Sequence, residues 1–408
     1  MASGEGGSTQ FLGRIESLRG LAALEVLIGH ADGMMVPMDR MTRMQDINDP
    51  HDFWVRIITC PIDAETAVLV FFVISGFVIG RSLDKNGAGS LRDYCIFLAR
   101  RALRLYPAHI VALLAIVALG EILIVGAPDV RLPDVEPGMD WLNGALNGAY
   151  LQGLDWRRLA GNLGLLGWTL NFPAWSLYVE LCAAPLLPLF HAYSRRGSPF
   201  TDAILVVALV GVAAAGWDHL WCRYWFAFYL GMIVQTHGER VAAVTARALG
   251  GVGPALLIVY LVLIAPTQLA TDRPLWVLVA EAVASFLLIS LAAWGRNSKT
   301  LAVFDHHALR WNGMVSYSFY LYHYILLVLV ARAVYLLLGY GTVQDHAWPI
   351  CAATIALVSG LAWAAAYFSY RFVERPGIAL GHRIPLHLHL YRPASINAGP
   401  GTGLTPSL

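Results

Sequence analysis

Long apolar segments recur along this chain at the length needed to cross a lipid bilayer. Such a chain must satisfy its backbone hydrogen bonds internally, and unbroken apolar runs without strand-like alternation do so as helices. Hydrophobic residues make up 57% of the 408 and charged residues 13%, with a mean hydropathy of +0.59; a soluble domain carries about 25% charged residues. The pattern predicts an all-α, polytopic membrane helix bundle of about ten transmembrane helices, near 17–33, 65–82, 107–126, 174–193, 202–218, 221–236, 251–267, 275–294, 315–338 and 349–373. An even number places both ends on one side. Cytoplasmic loops carry the excess of Lys and Arg. Nineteen such residues fall on the face shared by the termini and eight on the other, which predicts that both termini are cytoplasmic.

The same charges exclude other classes. Lys plus Arg number 28 and Asp plus Glu 27, so the broad cationic face that nucleic acid requires is missing. The five cysteines, Cys60, Cys95, Cys182, Cys222 and Cys351, are widely separated. They signal neither a disulfide framework nor a metal site. Residues 1–16 are polar and Gly-rich, without the apolar core of a cleaved signal peptide, and form a short cytoplasmic segment before a membrane domain at 17–376. The Gly, Pro and Ser-rich stretch within 377–408 is expected to be a disordered cytoplasmic tail. Two outer loops are long: 34–64, with Asp39, Asp46, Asp49, Asp52 and Asp63, and 127–173, with Trp141, Tyr150, Trp156 and Trp168.

Ionisable groups inside apolar spans are costly, which makes each a functional or a paired site. Arg19 and His30 are eleven residues apart; at about 100° per residue they share one helical face, about 16.5 Å apart along the axis. His30 then lies deep and Arg19 near the cytoplasmic surface. A neutral imidazole at that depth serves either as a general base or as a hydrogen-bond partner of another helix. Arg100, Arg101 and Arg104 precede Tyr106 and Pro107 at the predicted start of the third span. Arg101 and Arg104 share a face and suit either a bidentate phosphate clamp or positive-inside anchoring. Ser75 and Gly76, with Gly80, form a small-residue face for close helix packing. Trp175 fits an interfacial position, and Glu180, about 10 Å below the outer surface, matches the depth of His30. A His30/Glu180 dyad follows as a hypothesis, with Glu121 and Glu281 as rivals. Ser316, Tyr320 and His323 form a polar stripe on one helix, where His323 either lines a cavity or makes a structural hydrogen bond. Glu374, between Arg371 and Arg375, reads as an interfacial salt-bridge cluster.

Taken in order, these segments resemble the acyltransferase 3 family of integral membrane acyltransferases. The matching pieces are Ser17-Leu-Arg-Gly-Leu-Ala-Ala-Leu with His30, Phe71-Phe-Val-Ile-Ser-Gly-Phe77, Arg100-Arg-x-x-Arg-x-Tyr-Pro107, Pro173-x-Trp-Ser-Leu-x-x-Glu180, and Tyr317-Ser-x-Tyr-Leu-x-His323 with Glu374-x-Pro376. The resemblance implies ten helices and an acyl-CoA donor, often acetyl-CoA, taken from the cytoplasm. It implies a hydroxyl acceptor on a cell-surface or exported carbohydrate or glycoconjugate. It further implies an integral protein of the bacterial inner membrane, with no bound cofactor and no metal. His30 maps onto the presumed catalytic residue with Arg19 beside it, and Glu180 is taken as its supporting carboxylate. Arg101 and Arg104, taken together with Tyr106, map onto the acyl-CoA site, while Ser75, Gly76, Trp175, Tyr320, His323 and Glu374 line or pack the cavity. Direct transfer and a covalent acyl-histidine both fit. Glu25 stands where an apolar residue is expected in the opening helix, and the esterase-like domain fused to some members is missing from this chain. The competing class, a secondary transporter, predicts an inverted repeat; the arginine cluster and the Trp-Ser-Leu segment have no counterparts in the other half.

Overall fold

A computed structural model describes residues 4–36, 64–87, 89–125, 154–263, 274–295 and 299–384. The Asp-bearing loop, Trp141 and Tyr150, and the tail from Pro385 lie outside them. The described residues are all helical apart from turns and short connections. The helices are α1 (Gly4–Met35), α2 (Ala64–Asn86), α3 (Leu91–Gly120, continued by a π turn at Glu121–Val125), α4 (Trp156–Leu163), α5 (Trp175–Ala183), α6 (Leu187–Arg196), α7 (Pro199–Ala215), α8 (Leu220–Arg223), α9 (Trp225–Leu249), α10 (Gly253–Leu263), α11 (Leu275–Trp294), α12 (His307–Leu338), α13 (Tyr340–Asp345), α14 (Ala347–Ser369, with a π turn at Tyr370–Glu374) and α15 (Arg375–His382).

Each of the ten predicted segments falls at least partly on a helix, yet among the described residues six helical stretches are long and apolar enough to cross a membrane, or seven if one bent pair is a single span, and the predicted spans 221–236 and 251–267 share one of them, Leu220–Leu261. The exceptions have physical reasons. Helix α1 carries Arg14, Glu16, Arg19, Glu25 and Asp32, too many charges for a plain lipid-facing span, and α7 has only 17 residues. The predicted fourth span is two helices, α5 and α6, bent by 56°. Pro185 and Pro188 account for the break, because proline lacks the amide proton a continuous helix needs and restrains the preceding residue. The third span begins 16 residues earlier than predicted, at Leu91, where the Ser90 side chain caps the helix by accepting the Asp93 amide (3.1 Å). Pro107 therefore sits inside α3, and the arginines lie within the helix rather than at its mouth.

Helix α1 is sandwiched between α2 and α12, and α9 packs on both α2 and α11. Glycine sets the close crossings. A Cβ at Gly76 would overlap the Phe228 carbonyl, and one at Gly231 the Val73 carbonyl, so α2 and α9 touch through backbone. Gly313 packs against the Glu16 carbonyl in the same way, which brings the Arg19 side of α1 onto α12. One core cluster joins α1, α2, α9 and α11, and a second joins α1, α12 and α14. Helix α1 thus lies where both cores meet, and its polar face is held in protein rather than lipid.

Candidate active site

Two cavities run along α2 and α3, the inner one bounded also by α12 and the outer one by α15. The inner one, about 750 Å³, is lined by Arg19, Ser75, Arg104, Glu180, Ser316 and Tyr320 among others, with an apolar wall that includes Val68, Phe71 and Phe72. The outer one, about 800 Å³, is lined by Asn86, Asp93, Phe97, Arg100, Arg104 and His382 among others. They meet at Val78, Ile79, Arg101 and Arg104. Arginine stands at that junction because α3 is already helical there, so Arg101 and Arg104 project together from one face.

The two arginines are not equivalent. Arg101 is buried, forms an ion pair with Glu180, and donates to Ser75 Oγ at 3.0 Å. Ser75 in turn donates to Glu180 Oε1 at 3.0 Å. Arg104 is half-buried and makes no hydrogen bond or ion pair among the described residues. Arg100 is tied to the carbonyls of Gly381 (3.1 Å) and Ile384 (2.6 Å) beside α15. Tyr106 is separated from this group: it lies 140° around α3 from Arg101, at about 100° per residue. Its ring packs on His109 and its hydroxyl is 3.5 Å from the Gly164 carbonyl, and it lines neither cavity. Arg19 donates through Nε and Nη2 to the Gly313 carbonyl (3.2 and 2.6 Å), which aims it along the inner cavity.

At the opposite end of α1, His30 meets His323 rather than Glu180. His30 Nδ1 is 3.0 Å from His323 Nε2, and the rings are parallel within 7° at 5.3 Å. His323 Nδ1 is 2.7 Å from the Tyr320 carbonyl. For the neutral pair the bonding sequence selects the tautomers. A carbonyl only accepts, so a neutral His323 carries its hydrogen on Nδ1 and presents a lone pair at Nε2. That lone pair takes the hydrogen of His30 Nδ1, and His30 Nε2 is left as a bare base. His323 is fully buried, His30 only partly, and the rings of Phe172 (6.0 Å) and Tyr324 (5.3 Å) pack against His30 in T-shaped contacts. A short 3-10 turn at Phe172–Ala174 places Phe172 there. It is fastened to α12 by Asn171 Nδ2 on the Leu321 carbonyl (3.2 Å) and by the Tyr320 hydroxyl on the Pro173 carbonyl (3.0 Å). Ser176 Oγ, 2.8 Å from the Tyr320 hydroxyl, completes the clasp.

The His30/Glu180 dyad expected from depth is therefore corrected. Depth along a straight helix is a poor guide where Pro185 and Pro188 break the span, and Glu180 turns to Arg101 and Ser75. His323 is the partner that sequence reasoning placed on the right stripe but left between two roles. Glu374 is likewise corrected: it is buried and accepts from Ser318 Oγ at 2.8 Å, while its neighbours Arg371 and Arg375 are exposed. Trp175 is only half-buried and packs on Phe72 and Tyr224. Gly76 is a packing residue, and Ser75 a cavity residue. Among the described residues no cluster of three or more His, Cys, Asp or Glu side chains is arranged to hold a metal.

The acyltransferase domain of the acyltransferase 3 type matches residues 12–369, nearly the whole chain. The protein belongs to this family. No curated protein and no solved structure matches. Family membership and the apolar helices together make it an integral membrane acyltransferase.

Proposed function

We propose that the protein moves an acyl group, acetyl in the first instance, from acyl-CoA to a hydroxyl of a cell-surface or exported carbohydrate or glycoconjugate. The observation that carries this reading is the hydrogen-bonded pair of His30 and His323, anchored on the Tyr320 carbonyl, at the far end of α1 from an arginine-lined double cavity. Phosphates are held by guanidinium groups, and Arg104, unlike Arg100 and Arg101, has no hydrogen-bond or ion-pair partner among the described residues. It holds the donor's phosphates at the junction, Arg101 shapes the wall through Glu180, and the donor's arm lies along the inner cavity past Arg19. The acceptor reaches His30 from the side framed by Phe172 and Tyr324.

In the reaction, His30 Nε2 takes the proton of the acceptor hydroxyl as its oxygen attacks the thioester carbonyl carbon. The carbon–sulfur bond then breaks, and the imidazolium returns its proton to the departing thiolate, giving the ester and free CoA. His323, fixed by the Tyr320 carbonyl, keeps His30 in the productive tautomer and accepts a stronger hydrogen bond when His30 is charged. In this reading the chain crosses a bacterial inner membrane ten times with both termini cytoplasmic, the double cavity opens on the cytoplasmic side, and His30 lies toward the outer face. The charge distribution supports this orientation.

Mass spectrometry of surface glycans and glycolipids tests the reading, comparing cells lacking the protein, cells complemented with wild type, and cells complemented with His30→Ala at matched protein level. An ester-linked acyl increment is expected only with the wild type. The same increment in all three would refute the assignment. Acylated protein recovered after incubation with acyl-CoA alone would replace direct transfer by an acyl-histidine intermediate.

A further inference from the structure

Apart from Arg104, the charged and hydroxyl-bearing side chains on the wall of the inner cavity are mostly engaged. Arg19 is on the Gly313 carbonyl, Ser75, Arg101 and Glu180 bind one another, and Ser176 is held by Tyr320 and Pro173. Ser316 is different. It is fully buried, lies on that wall, and its hydroxyl has no hydrogen-bond partner among the described residues. A buried serine in a helix ordinarily turns its hydroxyl back onto the carbonyl four residues earlier. Ser285 and Ser290 on α11 do so, at 2.8 and 2.7 Å. Ser316 leaves that bond unmade. Buried polar groups are almost always satisfied, so an orphan on a cavity wall marks a place for a ligand's polar atom.

Its position indicates which atom. Ser316, Tyr320 and His323 occupy one face of α12 at successive turns, so Ser316 lies about 10 Å along the axis from His323, on the side toward Arg104. A donor with its thioester at the histidines and its phosphates at Arg104 passes Ser316 with its middle portion. In acyl-CoA that portion is the peptide-like pantetheine arm, whose amide groups both donate and accept. Val68, Phe71 and Phe72, which also line this cavity, are apolar and offer those amides no side-chain hydrogen bond.

Resting on the proposed donor, we infer that the Ser316 hydroxyl is a positioning site for an amide of the pantetheine arm. It selects donors that carry the arm and acts on binding rather than on the proton transfer. The test uses the purified full-length protein in lipid nanodiscs and two probes: CoA, and adenosine 3′,5′-bisphosphate, which has nucleotide phosphates but no arm. Ser316→Ala is expected to weaken CoA binding about three- to tenfold, the range of one hydrogen bond, and to leave the bisphosphate unchanged. Ser316→Thr, which keeps the hydroxyl, is expected to retain most of the CoA affinity. Arg104→Gln weakens both probes and serves as the contrast. Unchanged CoA affinity in Ser316→Ala, or equal weakening of both probes, would overturn the inference. Failure of the wild type to bind either probe would instead overturn the donor assignment on which it rests.

Discussion

The two ends of the α1–α12 seam solve opposite problems with different chemistry. Near Arg19 the protein gathers guanidinium groups along a cavity wall and balances one of them with a carboxylate. Near His30 it uses two imidazoles and a backbone carbonyl and, among the described residues, no ion pair. The difference follows from what each end must do. Holding an anion calls for fixed positive charge, whereas moving a proton calls for a base that is neutral when the substrate arrives. A carboxylate bonded to His30 would hold it protonated and idle in a low-dielectric setting. Glu180 is kept for Arg101 and a second histidine does the orienting.

The largest way to break this contrast is at the base itself. His30→Ala is expected to lower acyl transfer by about 10²- to 10⁴-fold, the range of general-base catalysis, with CoA binding unchanged; the ester released from surface glycans gives the rate. The arginine end responds in stability. Glu180→Gln leaves Arg101 buried and unpaired, which costs about 3–5 kcal/mol for such pairs and is expected as a lower unfolding temperature of the solubilised protein. Replacing both partners by glutamine is expected to recover much of that loss. Arg104→Gln is expected to raise the KM for acyl-CoA about tenfold or more, with little change in kcat and a weaker salt dependence. The smallest effect is at the clasp between the ends. Tyr320→Phe loses the hydrogen bonds to Pro173 and Ser176 but keeps the carbonyl that holds His323, and is expected to destabilise by about 0.5–1.5 kcal/mol per bond.

Much of this arrangement is visible in the sequence, and the failures have identifiable causes. Helical periodicity placed Arg19 with His30 on one stripe and Ser316, Tyr320 and His323 on another, and both stripes line the seam. Family motifs pointed to His30, Arg101 and Arg104. What periodicity cannot give is the partner across a helix interface. Glu180, Glu121 and Glu281 all fall at depths compatible with His30, and the span that carries Glu180 is bent, with the pair Pro185 and Pro188 as its only signal in the sequence. The same limit hid the distinction between Arg101 and Arg104, which are alike in sequence and differ only because Ser75 and Glu180 face one of them. Tyr106 was assigned by proximity in the motif, although five residues from Arg101 is the wrong side of a helix. Ser316 drew attention as part of a polar stripe, but its unsatisfied hydroxyl is a property of the folded state alone.

The most direct test of the histidine relay is the donor-saturated rate of acyl transfer in His323→Ala and Glu180→Gln, measured in membranes at matched amounts of folded protein. If His323 orients the base, kcat falls about tenfold or more in His323→Ala with the KM for acyl-CoA unchanged, and Glu180→Gln retains most of its kcat. A full kcat in His323→Ala, with the loss found in Glu180→Gln instead, would return the carboxylate to the base and contradict the relay.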